Sequence, residues 1–160
     1  VDAFIKIDPD GALEYSSNAS TYKAKLELLD KELRDSLSLI PKERRFLVTC
    51  EGAFTYLASD YGMEEGYLWP VNSESQVTPR RMVNLIKIIK ENKVPTIFCE
   101  STVSSEAQME VAKSSGAVFG GTFYVDSLSD LNGPAPTYMD LLKHNVELIT
   151  QGLSLSTEKN

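Results

Sequence analysis

Two acids, Glu100 and Asp126, combine a residue type and a placement that could do chemistry. Each ends a run of strand-forming residues, Thr96-Ile97-Phe98-Cys99-Glu100 and Thr122-Phe123-Tyr124-Val125-Asp126. A third run, Arg45 to Cys50, hands over to Glu51. If these strands are parallel, their carboxyl ends share one edge of a sheet, where open α/β folds place their sites. Such an edge gathers carboxylate oxygens, which suit a divalent cation. The competing reading makes Glu100 and Asp126 helix caps or solvated loop acids, the ordinary role of a single acid in such a place. Glu51, followed by Gly52, is the weaker candidate, because a helix dipole alone explains a glutamate there.

Other chemistries find less support. A nucleophilic hydrolase needs a serine elbow with a histidine nearby, and no Gly-x-Ser-x-Gly run occurs. The single histidine, His144, sits beside Leu141 and Leu142 in a helical pattern, which favours a packing or surface role. No site in this chain can therefore use two imidazoles. A paired-carboxylate hydrolase built on Glu100 and Asp126 stays open as a weaker alternative. Gly120-Gly121 lies inside a strand pattern rather than ahead of a helix, so it reads as a bend or close approach and not as a phosphate loop. The strand aromatics Tyr67, Trp69, Phe123 and Tyr124 are expected in the core.

The elements that must position these residues follow from periodicity. Val1 to Ile7 reads as the last turns of a helix, stopped by Asp8-Pro9-Asp10-Gly11. Tyr15, Ala19, Tyr22, Leu26, Leu29, Leu33, Leu37 and Ile40 step by three and four, the stripe of a long amphipathic helix. From Arg45 the pattern alternates strand and helix. Strands are predicted at 46–50, 67–71, 96–100 and 118–126. Helices are predicted at 53–61, 80–92, 105–115 and 137–152, with Thr78-Pro79 opening the second of these. The second of these helices is expected to bury Met82, Val83, Leu85, Ile86, Ile88 and Ile89, and the last one Tyr138, Leu141, Leu142, Val146 and Ile149. Ser73-Glu74-Ser75-Gln76 belongs to a polar loop, and 154–160 to a frayed tail. The alternation predicts an α/β fold, a four-stranded mostly parallel sheet with helices on both faces.

Composition narrows the partners. A chain of 160 residues with 42% apolar and 24% charged residues can bury the core of one domain. Its net charge of −7 argues against nucleic-acid and anionic-lipid binding, which need a basic face. The first residues carry neither the basic end nor the apolar run of a signal peptide. Cys50 and Cys99 are too few for an all-thiolate zinc site, and two buried free thiols are expected rather than a disulfide.

Five runs occur in an order and spacing that carry a family resemblance: Val48-Thr49-Cys50-Glu51-Gly52-Ala53-Phe54, Leu68-Trp69-Pro70-Val71-Asn72, Phe98-Cys99-Glu100-Ser101-Thr102, Tyr124-Val125-Asp126-Ser127-Leu128 and Gly133-Pro134-Ala135-Pro136-Thr137-Tyr138. Together they resemble the carboxyl-terminal lobe of the manganese/zinc-type substrate-binding proteins of bacterial metal ABC transporters. The resemblance implies two α/β lobes joined by a rigid helix, with Mn2+ or Zn2+ between them as transported ligand. By motif, Glu100 and Asp126 match the carboxylate ligands of the second lobe. Residues 1–10 then correspond to the end of the interlobe helix, 11–153 to the metal-binding lobe and 154–160 to a flexible tail. The implied partners are a membrane permease and an amino-terminal lobe supplying two histidines, and the implied location is periplasmic or otherwise extracytoplasmic. No enzyme activity is implied. No segment resembles the amino-terminal lobe, so the chain holds half of the site, and an exposed interlobe surface would favour self-association. An α/β module acting through surface contacts, without a competent metal site, is the alternative.

Overall fold

A computed structural model describes residues 1–72 and 77–154. The expected loop at 73–76 and the tail beyond residue 154 lie outside the described residues. The elements run α1 (Asp2–Ile7), a 3-10 turn (Pro9–Gly11), α2 (Ala12–Ser38), a second 3-10 turn (Lys42–Arg44), β1 (Phe46–Glu51), α3 (Thr55–Asp60), β2 (Glu64–Trp69), α4 (Pro79–Glu91), β3 (Thr96–Glu100), α5 (Glu106–Ser115), β4 (Val118–Phe123) and α6 (Tyr138–Ser154). Among the described residues no helix is long and apolar enough to cross a membrane.

The chain divides into two compact units, Val1–Asp35 and Ser36–Asn160, so the boundary falls inside α2. In the first unit, α1 and the start of α2 are tied by the Tyr15 hydroxyl, which donates to Asp8 at 2.7 Å, and by a Phe4–Tyr15 ring contact. The polar face of α2 carries i,i+4 ion pairs such as Lys31–Asp35 and Arg34–Asp30. Exposed pairs of this kind contribute a few tenths of a kcal/mol each. The expected stripe is graded along the helix. Tyr22 is exposed, whereas Leu29, Leu33, Leu37 and Ile40 are buried.

In the second unit the strands form two parallel pairs, β1 with β2 and β3 with β4. The expected single four-stranded sheet is thus split, with no ladder between β1 and β3 among the described residues. The two still lie side by side. Cys50 on β1 and Cys99 on β3 have Cα atoms 4.8 Å apart, the ordinary spacing of neighbouring strands.

Period-two alternation sends successive side chains to opposite faces. Phe46, Val48, Cys50, Ile97 and Cys99 pack with Leu85, Ile89, Val111 and Ala112 of α4 and α5. The other face belongs to α6, where the Thr96 hydroxyl donates to the Gly152 carbonyl at 2.8 Å. On that face Phe98 stacks on Phe123, which meets Phe54 edge-on. A Cβ on Gly120 would run into Thr96 and the Phe98 ring, at 2.6 Å from the latter. The expected close approach at Gly120-Gly121 is therefore present, and β4 shifts register beside it.

Element boundaries moved most at β2 and β4. β2 begins at Glu64 rather than Tyr67, because an edge strand with an exposed Glu64 reads as loop in sequence. β4 stops at Phe123 rather than continuing to Asp126, since the Asn145 side chain takes over both backbone groups of Tyr124. Thr78 caps α4 as expected, accepting from the Arg81 amide. Three residues expected in the core are exposed instead: Tyr67, Val83 and Tyr138. Val83 falls off the stripe made by Met82, Leu85, Ile86 and Ile89, and Tyr67 lies over the backbone of Gly52.

Candidate metal centre

The carboxyl ends of β1, β3 and β4 meet at one edge of the second unit. Glu51 ends β1 and its backbone amide points at both carboxylate oxygens of Glu100, at 3.3 Å each. Its own carboxylate accepts from the Asn72 amide in the loop after β2. The Thr49 hydroxyl donates to the Glu51 carbonyl at 2.7 Å, which fixes the peptide that follows Glu51. Glu51 thus has more connections at this edge than its sequence context indicated.

Glu100 is buried, with 2% of its surface exposed. Burial pushes its carboxyl up to about 7, and the nearby Glu51 charge adds to the rise. Backbone amides of Glu100, Glu51 and Cys50 oppose it by favouring the ionised form. The result is an acid poised near neutrality that a neighbouring cation would hold ionised.

Asp126 follows β4 and is exposed. The loops carrying the two sequence-predicted ligands are joined directly. Ser101, next to Glu100, and Ser127, next to Asp126, share a hydroxyl hydrogen bond of 2.8 Å. The Ser101 amide also donates to the Phe123 carbonyl at 2.8 Å, extending the β3–β4 pairing into the loop.

Two buried amides that sequence reasoning passed over hold these strand ends. Gln108 of α5 donates to the Phe98 carbonyl at 2.9 Å, two residues before Glu100. Asn145 of α6 accepts from the Tyr124 amide at 3.0 Å and donates to the Tyr124 carbonyl at 2.6 Å, two residues before Asp126. Their signal in sequence was faint: a lone polar residue on the buried stripe of each helix. His144 takes the packing role expected of it, bonded to the Thr122 carbonyl and edge-on to Tyr124.

The expectation of free thiols is overturned, because Cys50 and Cys99 form a disulfide. The adjacency of β1 and β3, which sequence spacing does not reveal, places the two sulfurs together. With Glu100 they are the cluster of potential metal-binding atoms among the described residues, all within 4.8 Å of one another. As a disulfide they carry no thiolate, so the donors this edge offers a cation are oxygens.

Residues 1–152 match the family described as zinc-uptake complex component A, periplasmic. The chain is 49% identical over 150 residues to the iron-binding protein YfeA of Yersinia pestis, covering 94% of this chain and 48% of that protein. It is 35% identical to the manganese-binding lipoprotein MntA of Halalkalibacterium halodurans, covering 96% and 51%. A Mn-bound periplasmic metal binding protein of Candidatus Liberibacter asiaticus superposes with a TM-score of 0.87 at 39% identity, over 95% of this chain and 56% of that one. The periplasmic zinc binding protein TroA of Treponema pallidum gives 0.89 at 28% identity, over 96% and 57%. The chain spans about half the length of the curated relatives it matches. The chain belongs to the zinc-uptake complex component A family.

Proposed function

We propose that this chain is the carboxyl-terminal, metal-binding lobe of an extracytoplasmic protein that captures Mn2+ or Zn2+ for an ABC importer. Residues 11–153 make up the lobe, and residues 1–10 end the helical connection to an amino-terminal lobe. Glu100 and Asp126 are the lobe's oxygen ligands, with Glu51 beside them. Two histidines from the other lobe complete the coordination, and a membrane permease receives the ion. The protein binds and releases without turnover.

The observation that carries the reading is the joining of the strand-end loops at one edge, through the Ser101–Ser127 hydrogen bond and the Glu51 amide on Glu100. Family membership supports it, as does the naming of relatives for iron and manganese. Carboxylate oxygens with imidazoles accommodate either Mn2+ or Zn2+, and intrinsic affinity favours zinc. A disulfide between β1 and β3 suits an oxidising compartment.

The test is titration of the full-length protein with Mn2+ after single substitutions. Asp126→Asn and Glu100→Gln are each expected to weaken binding by about tenfold or more, judged from the loss of a charged ligand, with the fold intact. Unchanged affinity in either variant removes that residue from the site. Glu51→Gln belongs in the same series, since its carboxylate lies at the same edge.

A further inference from the structure

We propose that Asn145 is a positioning residue of the metal site, gripping the end of β4 so that Asp126 is held where the cation binds. The inference rests on the metal-capture reading above. Asn145 is 1% exposed and bonds both backbone groups of Tyr124, two residues before Asp126.

Successive residues of a strand turn their backbone groups to opposite edges. The Phe123 carbonyl faces β3, where it accepts from the Ser101 amide. The backbone groups of Thr122 and Tyr124 therefore face the other edge of β4, which no strand covers among the described residues. Two consecutive side chains of α6 close that edge. His144 bonds the Thr122 carbonyl at 3.0 Å, and Asn145 accepts from the Tyr124 amide and donates to the Tyr124 carbonyl. A carboxamide carries the donor and acceptor of a peptide group, so Asn145 stands in for one residue of a neighbouring strand.

β4 ends at Phe123 and Asp126 is exposed, so the ladder stops short of the ligand. Its loop is tied by Asn145 on one side and by the Ser101–Ser127 hydroxyl bond on the other. The hydroxyl pair is exposed, and water replaces such a bond at little cost. Asn145 is shielded from water, so its bonds have no such substitute. A ligand works only when held within about 0.5 Å of its productive position. Without the carboxamide, Tyr124 is released and Asp126 with it. Asn145 contributes no ligand of its own and acts through the Tyr124 backbone.

The experiment measures Mn2+ affinity and the electron paramagnetic resonance spectrum of bound Mn2+ in the full-length protein carrying Asn145→Ala. Removing partners that orient ligands typically costs 10- to 100-fold in affinity. The expected result is a loss of about tenfold, with a broadened spectrum reporting altered coordination. Unchanged affinity and spectrum, even with a lower melting temperature, would overturn the proposal and leave Asn145 a structural residue only. Val146→Ala removes a buried neighbour on the same helix and is expected to lower the melting temperature without changing affinity. An equal affinity loss there would also overturn the proposal, since affinity would then follow helix stability. If Asn145→Ala does not fold, Asn145→Asp keeps the acceptor for the Tyr124 amide, loses the donor to its carbonyl, and is read by the same criteria. Asp126→Asn, alone and combined with Asn145→Ala, separates the levels. The double variant is expected to bind like Asp126→Asn alone, because residues acting through one another are not additive. Multiplied losses defeat the positioning role alone, and no loss in Asp126→Asn defeats the metal-capture reading.

Discussion

Glu100 is almost wholly buried, yet its partners are backbone amides rather than a cationic side chain. Its carboxyl is raised from 4.5 to about 7, chiefly by desolvation. The sign of the linkage follows from which state releases its proton first. As pH rises above 4.5 the unfolded chain ionises while the folded protein keeps its proton, so the metal-free fold loses stability until about pH 7. Below the lower value this contribution is fully present, and above the upper one it is gone. Glu100→Gln keeps the neutral shape and removes the titration. The metal-free variant is therefore expected to melt higher than the parent near pH 8 and close to it near pH 4 in a thermal scan. Equal melting at both values would mean that the buried carboxyl is not held near neutrality. A bound cation reverses the preference by favouring the ionised form, so Mn2+ affinity is expected to rise between pH 5.5 and pH 7.5 in titrations across that range.

At the scale of elements, the strand ends are held from behind by helices. Asn145 replaces the missing end of the β4 ladder with two hydrogen bonds to Tyr124. Asn145→Ala strands both backbone groups and is expected to cost about 2–3 kcal/mol, measured by denaturant unfolding, since each unsatisfied buried group costs roughly 1–3 kcal/mol. A loss below about 0.5 kcal/mol would show that water or a neighbour takes over both bonds. The crosslink from β1 to β3 closes a segment with sequence separation 49, a constraint worth about 4 kcal/mol in chain entropy.

These elements also mark what the sequence could express. β3 was legible to the residue because its ends are set by Pro95 and by the polar turn after Glu100, and all five positions are buried. α4 was legible through its cap and its three-and-four spacing. The start of β2 was not, because Glu64 and Glu65 are strand residues only by virtue of pairing with Phe46 and Leu47. The disulfide was hidden for the same reason, as it depends on which strands are neighbours. Glu100 ends β3 as its run predicted, whereas Asp126 lies three residues beyond the end of β4. Gln108 and Asn145, which hold those ends, depend on tertiary partners that no local pattern names.

At the scale of the whole molecule, the chain is on the proposed reading one half of a metal site. The chain covers about half of each curated relative it matches, and its single histidine is engaged with Thr122 rather than placed at the carboxylate edge. Carboxylates without imidazoles hold a transition metal weakly. The most direct measurement is a competitive Mn2+ titration of residues 1–160 alone beside the full-length protein. Submicromolar affinity is expected only for the full-length protein. Submicromolar binding by residues 1–160 alone would contradict the claim that a second lobe completes the site, and no binding by either would contradict metal capture itself.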